Sequence, residues 1–243
     1  MQSTPTEKPK RFYKAVDIAE TNGLWHVMLD GRTPKTPAKK SLAFPTQDLA
    51  QRVADEWDAQ AEHIDLQAMT LTRLANVAID RTPETRTELA AEVEKYAGTD
   101  LLCYLAEHPQ ELQDRQEAHF RPLRDWAGRE HGVLLMTTQG VLNAPQPPAS
   151  LEAARAFAER QNDYALTGLV FGLNLFGSAI LAMAVADGEL AAMDAYDISR
   201  IDEEWQIERW GEDDEAMARV EAQRREVSAL DSWFKGLASA TVV

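Results

Sequence analysis

The chain has 243 residues, of which 44% are hydrophobic, so it is long enough for one large or two modest domains with a real core. Its formal net charge of -15 excludes general binding to nucleic acid or to an anionic membrane surface, since both need a positive face. Cys103 is the only cysteine, which excludes an intrachain disulfide and suits a reducing compartment.

Residues 1–10 read as a disordered lead-in, because MQSTPTEKPK has no apolar core for secretion. From Arg11 to about Phe44 the pattern is strand-like. Phe12, Val16 and Ile18 alternate in the first run, and Trp25, Val27 and Leu29 in the second. Thr21-Asn22-Gly23 is a hairpin turn signal between them. Asp30-Gly31 turns the chain again, Pro34 and Pro37 hold TPKTP extended, and SLAF adds a short strand. Thr46 is an N-cap candidate, followed by Leu49, Val53, Trp57 and Ala61 on one helical face. Trp57 is expected in the core. A second helical run carries Leu71, Leu74, Ala75, Ala78 and Ile79. This makes an α+β unit over residues 11–82: a small antiparallel sheet with helices.

Residues 83–243 read as a larger all-helical domain. Pro83 sits in the first turn of a helix that Gly98 stops. DLLCYL reads as a short helix, with Cys103 a small buried hydrophobe. A longer helix follows, and Pro122 is expected to kink or divide it. VLLMTTQGVL is the one later stretch with strand character, which a hairpin packed against the bundle would satisfy. The stretch from Tyr164 to Ala186 contains no charged residue, and as one helix it would be roughly 35 Å long, enough to cross a bilayer. Its flanks are Asp163, Asp187 and Glu189 without nearby cations, and Asn174 sits at its middle. We therefore read residues 164–186 as the central helix of a water-surrounded core. Gly168 and Gly172 would let a neighbouring helix come close. Glu189 to Trp210 reads as one amphipathic helix, Gly211 ends it, and a last long helix follows.

Charge is uneven along the chain. Residues 1–45 carry a net +4, whereas the stretch from Glu189 to Glu215 holds eleven acids against Arg200 and Arg209. A solvated helix face is the plain explanation. Trp205 and Trp210 in the same stretch support a sharper one, an interaction surface on which aromatics anchor and charges steer. Trp205 lies four residues after Ile201 and belongs in the core; Trp210, beside Gly211, is the exposed candidate. The chain has no nucleotide-binding glycine motif, no HExxH and no GxSxG. The five histidines are scattered, so no metal and no cofactor are expected.

IDEEWQIERWGEDDE, from Ile201 to Glu215, resembles the C-terminal signature of the chaperones that assemble the F-one sector of ATP synthase by holding its alpha subunit. FYKAVDI, DGRTPKTP, ADEWDAQ, GTDLLCY and HFRPLRDWAGREHGV follow the same family in order, and the likeness runs from about Arg11 to about Gly236. The resemblance implies a binding protein and not an enzyme, whose partner is the ATP synthase alpha subunit. It would shield the surface later covered by the beta subunit, which would otherwise invite aggregation. It also implies a partner-binding role for Glu203, Glu204, Glu208, Trp210, Gly211 and Glu212. Mitochondrial relatives carry an import presequence that this chain reads without, so a bacterial cytoplasmic version is expected. Two other classes stay open on the residues alone. A small-molecule enzyme would gather two carboxylates of the acidic helix in a cleft, and a general adaptor would take many basic partners.

Overall fold

The computed structural model describes residues 8–140, 142, 145–211 and 214–238, with the side chains of 214–216 outside that description. The fold is α+β, a small antiparallel sheet followed by a mostly helical remainder. The chain divides into two compact units, Met1–Arg81 with Lys235–Val243, and Thr82–Phe234.

In the first unit, β1 (Val16–Thr21), β2 (Leu24–Leu29) and β3 (Ala43–Phe44) form an antiparallel sheet in that order. Val16 pairs with Leu29 and Thr21 with Leu24, so the register is set by the two-residue turn between them. That turn needs two left-handed residues, and Asn22 at φ 55° and Gly23 at φ 77° supply them. Helix α1 (Gln47–Asp58) packs on the sheet through Leu49, Val53 and Trp57, all buried. Thr46 caps it, accepting from the Leu49 amide at 3.2 Å, and its hydroxyl also donates to the Gly236 carbonyl at 2.7 Å.

Helix α2 (Thr70–Asp80) has no side-chain cap of its own. Glu56 of α1 supplies one, accepting from the amides of Leu71 at 2.9 Å and Thr72 at 2.7 Å. Burial pushes the Glu56 carboxyl above its ordinary pKa, against the pull of these donors. Buried Asp80 holds the proline-rich segment by accepting from the Thr36 hydroxyl at 2.7 Å and the Ala38 amide at 2.9 Å. Two sequence landmarks meet in this unit. Arg11 donates to the carbonyls of Asp58 and Gln60, and the Tyr13 hydroxyl donates to the Trp57 carbonyl at 2.7 Å.

The second unit holds α3 (Thr82–Gly98), a 3-10 turn at Leu101–Cys103, β4 (Tyr104–Leu105), α4 (Gln110–His131) and β5 (Thr138–Gln139). It continues with α5 (Pro148–Arg160), α6 (Asp163–Phe176), α7 (Ala179–Asp187), α8 (Ala192–Ser199), α9 (Ile201–Trp210) and α10 (Asp214–Ala238). From Lys235 onward the chain groups with the first unit, whereas the sequence pattern assigns it to the helical domain.

The apolar stretch 164–186 is two helices, not one. Phe176 ends α6, and Gly177 at φ 65° closes it with its amide on the Leu173 carbonyl at 2.9 Å. Ser178 then caps α7, accepting from the Leu181 amide at 3.0 Å. A fully buried carboxylate, Asp100, fixes the break by accepting from the Ser178 hydroxyl at 2.8 Å and from the Ile180 and Leu102 amides at 3.0 Å each. Among the described residues no helix is long and apolar enough to cross a membrane. The stretch remains the centre of the unit: Leu166, Leu169, Leu173 and every residue from Ala179 to Val185 are buried. Asn174 faces water, with its amide on the Val170 carbonyl.

Gly168 and Gly172 admit α10. A Cβ on Gly168 would lie 2.8 Å from both Trp233 and Phe234, and one on Gly172 would lie 3.4 Å from Leu230. Trp233 stacks on Tyr164 and donates its indole N–H to the Tyr164 carbonyl at 3.0 Å.

Further expectations are corrected in whole or in part. Of kinking or dividing the helix at Pro122, division does not occur: α4 continues through it from Gln110 to His131. The strand character of VLLMTTQGVL is present as β5, but it pairs in parallel with β4, and no hairpin forms there among the described residues. The run from Glu189 to Trp210 breaks at Arg200, whose φ of -111° and ψ of 14° separate α8 from α9.

Candidate functional site

The signature segment forms α9. Asp202, Glu203 and Glu204 occupy its first turn, where carboxylates oppose the positive end of the helix dipole. That alone accounts for part of the acidic run, as local helix stabilisation. Gly211 ends the helix at φ 89° and ψ 172°, a backbone region that in practice only glycine adopts.

One face of α9 is fixed to the rest of the second unit. Ile201 is buried in the core, and Trp205 is half-buried against it. The guanidinium of Arg209 lies 3.6 Å above the Trp205 ring and reaches Glu111 of α4 at 3.2 Å. Glu208 pairs with Arg115 of α4 at 2.8 Å. The third tie is Gln116, a buried amide on α4. It donates to Asp202 at 2.6 Å and accepts from the Ala106 amide at 2.7 Å. Neither Gln116 nor Asp202 stands out in the sequence; the only signal is a glutamine on the apolar side of a long helix.

The other face is free of such ties. Glu203 is exposed and Glu204 half-buried, and neither forms an ion pair among the described residues. Trp210 is 76% exposed, in keeping with its expected position outside the core, whereas Trp57 is buried. A groove of about 560 Å³ opens beside this face, between α9 and α10. Ile207 and Val220 form its half-buried floor, with Trp210 and Met217, the latter 44% exposed, at its rim.

The structure therefore brings Glu203, Trp210 and Gly211 together on the groove, leaves Glu204 on the same turn as Glu203 but outside the groove lining, and pairs Glu208 with Arg115. Glu212 lies outside the described residues. Glu203 is the single carboxylate lining the groove among the described residues. No group of three or more His, Cys, Asp or Glu among them is placed to hold a metal ion. Cys103 is buried, and burial pushes its thiol up to about 12, away from nucleophilic chemistry.

The family model for the ATP12 chaperone protein matches residues 10–128. The mitochondrial protein atp12 of Schizosaccharomyces pombe is 26% identical over 223 residues, covering 86% of this chain and 77% of its own length. The crystal structure of Atp12 from Paracoccus denitrificans superposes with a TM-score of 0.84 at 40% identity, covering 93% of this chain and 96% of that one. The Atu1473 protein of Agrobacterium tumefaciens superposes with a TM-score of 0.89 at 36% identity, covering 94% of this chain and 86% of that one. The chain belongs to the ATP12 chaperone protein family, the chaperones of ATP synthase assembly.

Proposed function

We propose that this chaperone binds the unassembled alpha subunit of ATP synthase and covers the surface that the beta subunit later takes. The observation that supports this reading is the state of α9. One face is pinned to α4 by Glu208–Arg115, Arg209–Glu111 and Gln116–Asp202, while the other offers carboxylates without ion pairs among the described residues, beside an exposed tryptophan and an open apolar groove. Apolar anchors ringed by charge suit a protein surface. They do not suit catalysis, and we read the chain as having no enzymatic activity. The partner-binding set is Glu203, Glu204, Trp210 and Gly211, with Glu212 carried from the family signature and Glu208 holding the helix in place. We infer a cytoplasmic setting from the lone buried cysteine and from the likeness to the two bacterial proteins.

Co-expression of the tagged chain with the alpha subunit, followed by pull-down, tests the proposal. Soluble alpha subunit is expected on the wild-type chain, and much less on the double variant Glu203→Lys, Glu204→Lys. Both carboxylates lack ion pairs among the described residues, so far-UV circular dichroism is expected to stay near wild type, with a melting temperature lower by no more than the loss of two favourable charges at the start of α9, about 0.3–1 kcal/mol each. Loss of fold in the double variant would assign these residues to structure, and absence of alpha subunit on the wild-type chain would end the proposal.

A further inference from the structure

We infer that Gln116 is the positioning residue of the candidate interface. Through Asp202 it sets the direction in which α9 presents Glu203, Glu204 and Trp210, so capture depends on a side chain that is itself out of a client's reach. The inference rests on the reading of this chain as a holder of an unassembled subunit. It deepens that reading by separating the acids offered to the client from the one that aims the helix.

Gln116 lies on α4 and is 1% exposed. Its neighbours assign its two polar ends. The Ala106 amide can only donate, so the carboxamide oxygen faces it at 2.7 Å. The nitrogen is left to donate to Asp202 at 2.6 Å, in the first turn of α9. Ala106 directly follows β4, and β5 is tied to β4 in turn by the Gly140 amide on the Leu105 carbonyl at 2.9 Å. One buried side chain therefore links the β4–β5 sheet to the start of α9. A hollow of about 440 Å³, lined by Tyr104, Leu105, Ala106, Gly140 and Asp202, opens beside this link. Side-chain packing does not fill that space, and the carboxamide bridges it.

Helix α9 needs such a fixed point because it is short and both its ends are breaks. It has ten residues, it is cut from α8 by the non-helical backbone of Arg200, and Gly211 ends it at φ 89°. Its other ties direct it weakly. Glu208 of the Arg115 pair is 54% exposed and Glu111 of the Arg209 pair 75% exposed, so water screens both pairs and their long side chains can follow a moving helix. Ile201 anchors α9 in the core, but apolar contact is non-directional. The Gln116–Asp202 bond is directional, it involves a charged acceptor, and its donor is held in place by burial and by Ala106.

The experiment uses the full chain and purified alpha subunit, with affinity, melting temperature and backbone amide exchange read for each variant at a temperature where all are folded. Gln116→Leu leaves the Ala106 amide and Asp202 without their shared partner. It is expected to lose about tenfold in affinity, the order of one hydrogen bond to a charged group, and to speed amide exchange within residues 201–210. Gln116→Glu sets two carboxylates against each other and is expected to lose at least as much. Adding Asp202→Asn to Gln116→Glu exchanges the two roles: the new amide donates, and the new carboxylate accepts from it and from Ala106. Affinity is then expected to return to within about twofold of wild type. Thr167→Val breaks the buried hydroxyl pair of Thr82 and Thr167, 2.7 Å apart, and controls for lost stability alone; its affinity is expected to match the wild type. If Gln116→Leu binds alpha subunit as the wild type does, or the exchanged pair recovers nothing, the inference is overturned and the assembly reading stands. Equal losses of affinity in Thr167→Val and Gln116→Leu would make Gln116 a structural residue only and overturn it too. If the wild type captures no alpha subunit, both fall.

Discussion

Asp100 and Ser178, 78 residues apart, share a fully buried hydrogen bond of 2.8 Å that sets where the central apolar stretch breaks into two helices. The same carboxylate accepts from the Leu102 and Ile180 amides, so one side chain ties the Leu101–Cys103 turn to the start of α7.

Asp100→Ala is expected to be among the most destabilising single substitutions in the second unit. It leaves three buried donors without an acceptor, and one such donor costs about 1–3 kcal/mol. A fall of several degrees in melting temperature is the expected readout, with Asp100→Asn intermediate because its amide oxygen keeps part of the set. A variant that melts with the wild type would show that the break at Gly177 does not depend on Asp100. The carboxyl itself is pushed above its ordinary range by burial, against the pull of its donors. The folded chain therefore holds this proton to higher pH than the unfolded one, and the group withdraws stability as pH rises through that window.

Gly168→Val tests the close approach of α6 and α10. The added atoms would meet Trp233 and Phe234 at distances no packed core tolerates, and the cost of such overpacking is about 1–3 kcal/mol. Denaturant unfolding should show a lower midpoint, along with altered near-UV signal from the Tyr164–Trp233 stack. An unchanged midpoint would contradict the packing described for these two helices.

Much of this architecture is legible in the sequence because it is local. Asn22-Gly23 declares its turn, Thr46 its cap, and Gly168 with Gly172 the close helix contact. Gly177-Ser178 is equally legible once the break is known, a C-terminal glycine followed by an N-cap serine; the unbroken apolar composition around it hides the break. The ties of the candidate site are different in kind. Arg115 and Glu208 are separated by 93 residues, and Gln116 and Asp202 by 86. No periodicity encodes a partner that distant. The acidic run is uniform in the sequence, and only the fold separates Glu208, which holds α9 in place, from Glu203, which faces the groove.

Asp30 gives the clearest pH dependence. Its carboxylate accepts from the amides of Lys14 and Ala15, and those bonds hold its pKa below the usual range. A depressed folded pKa contributes stability above the unfolded value of about 3.9, and that contribution is lost as pH falls through the folded value. Asn suits the left-handed backbone here, φ 46°, so Asp30→Asn removes charge without imposing strain. Thermal melts should place the variant below the wild type at pH 7, with the gap closing as pH drops below about 4. A gap independent of pH would mean that the hydrogen bonds matter and the charge does not.

The most direct test of the central claim is competition on the client. Purified alpha subunit is loaded on the immobilised chain, and beta subunit is then added in increasing amounts. Alpha subunit is expected to be retained without beta subunit and released as alpha–beta assembly proceeds, if chaperone and beta subunit compete for one surface as proposed. Retention of alpha subunit at saturating beta subunit, in a complex of all three proteins, would contradict it.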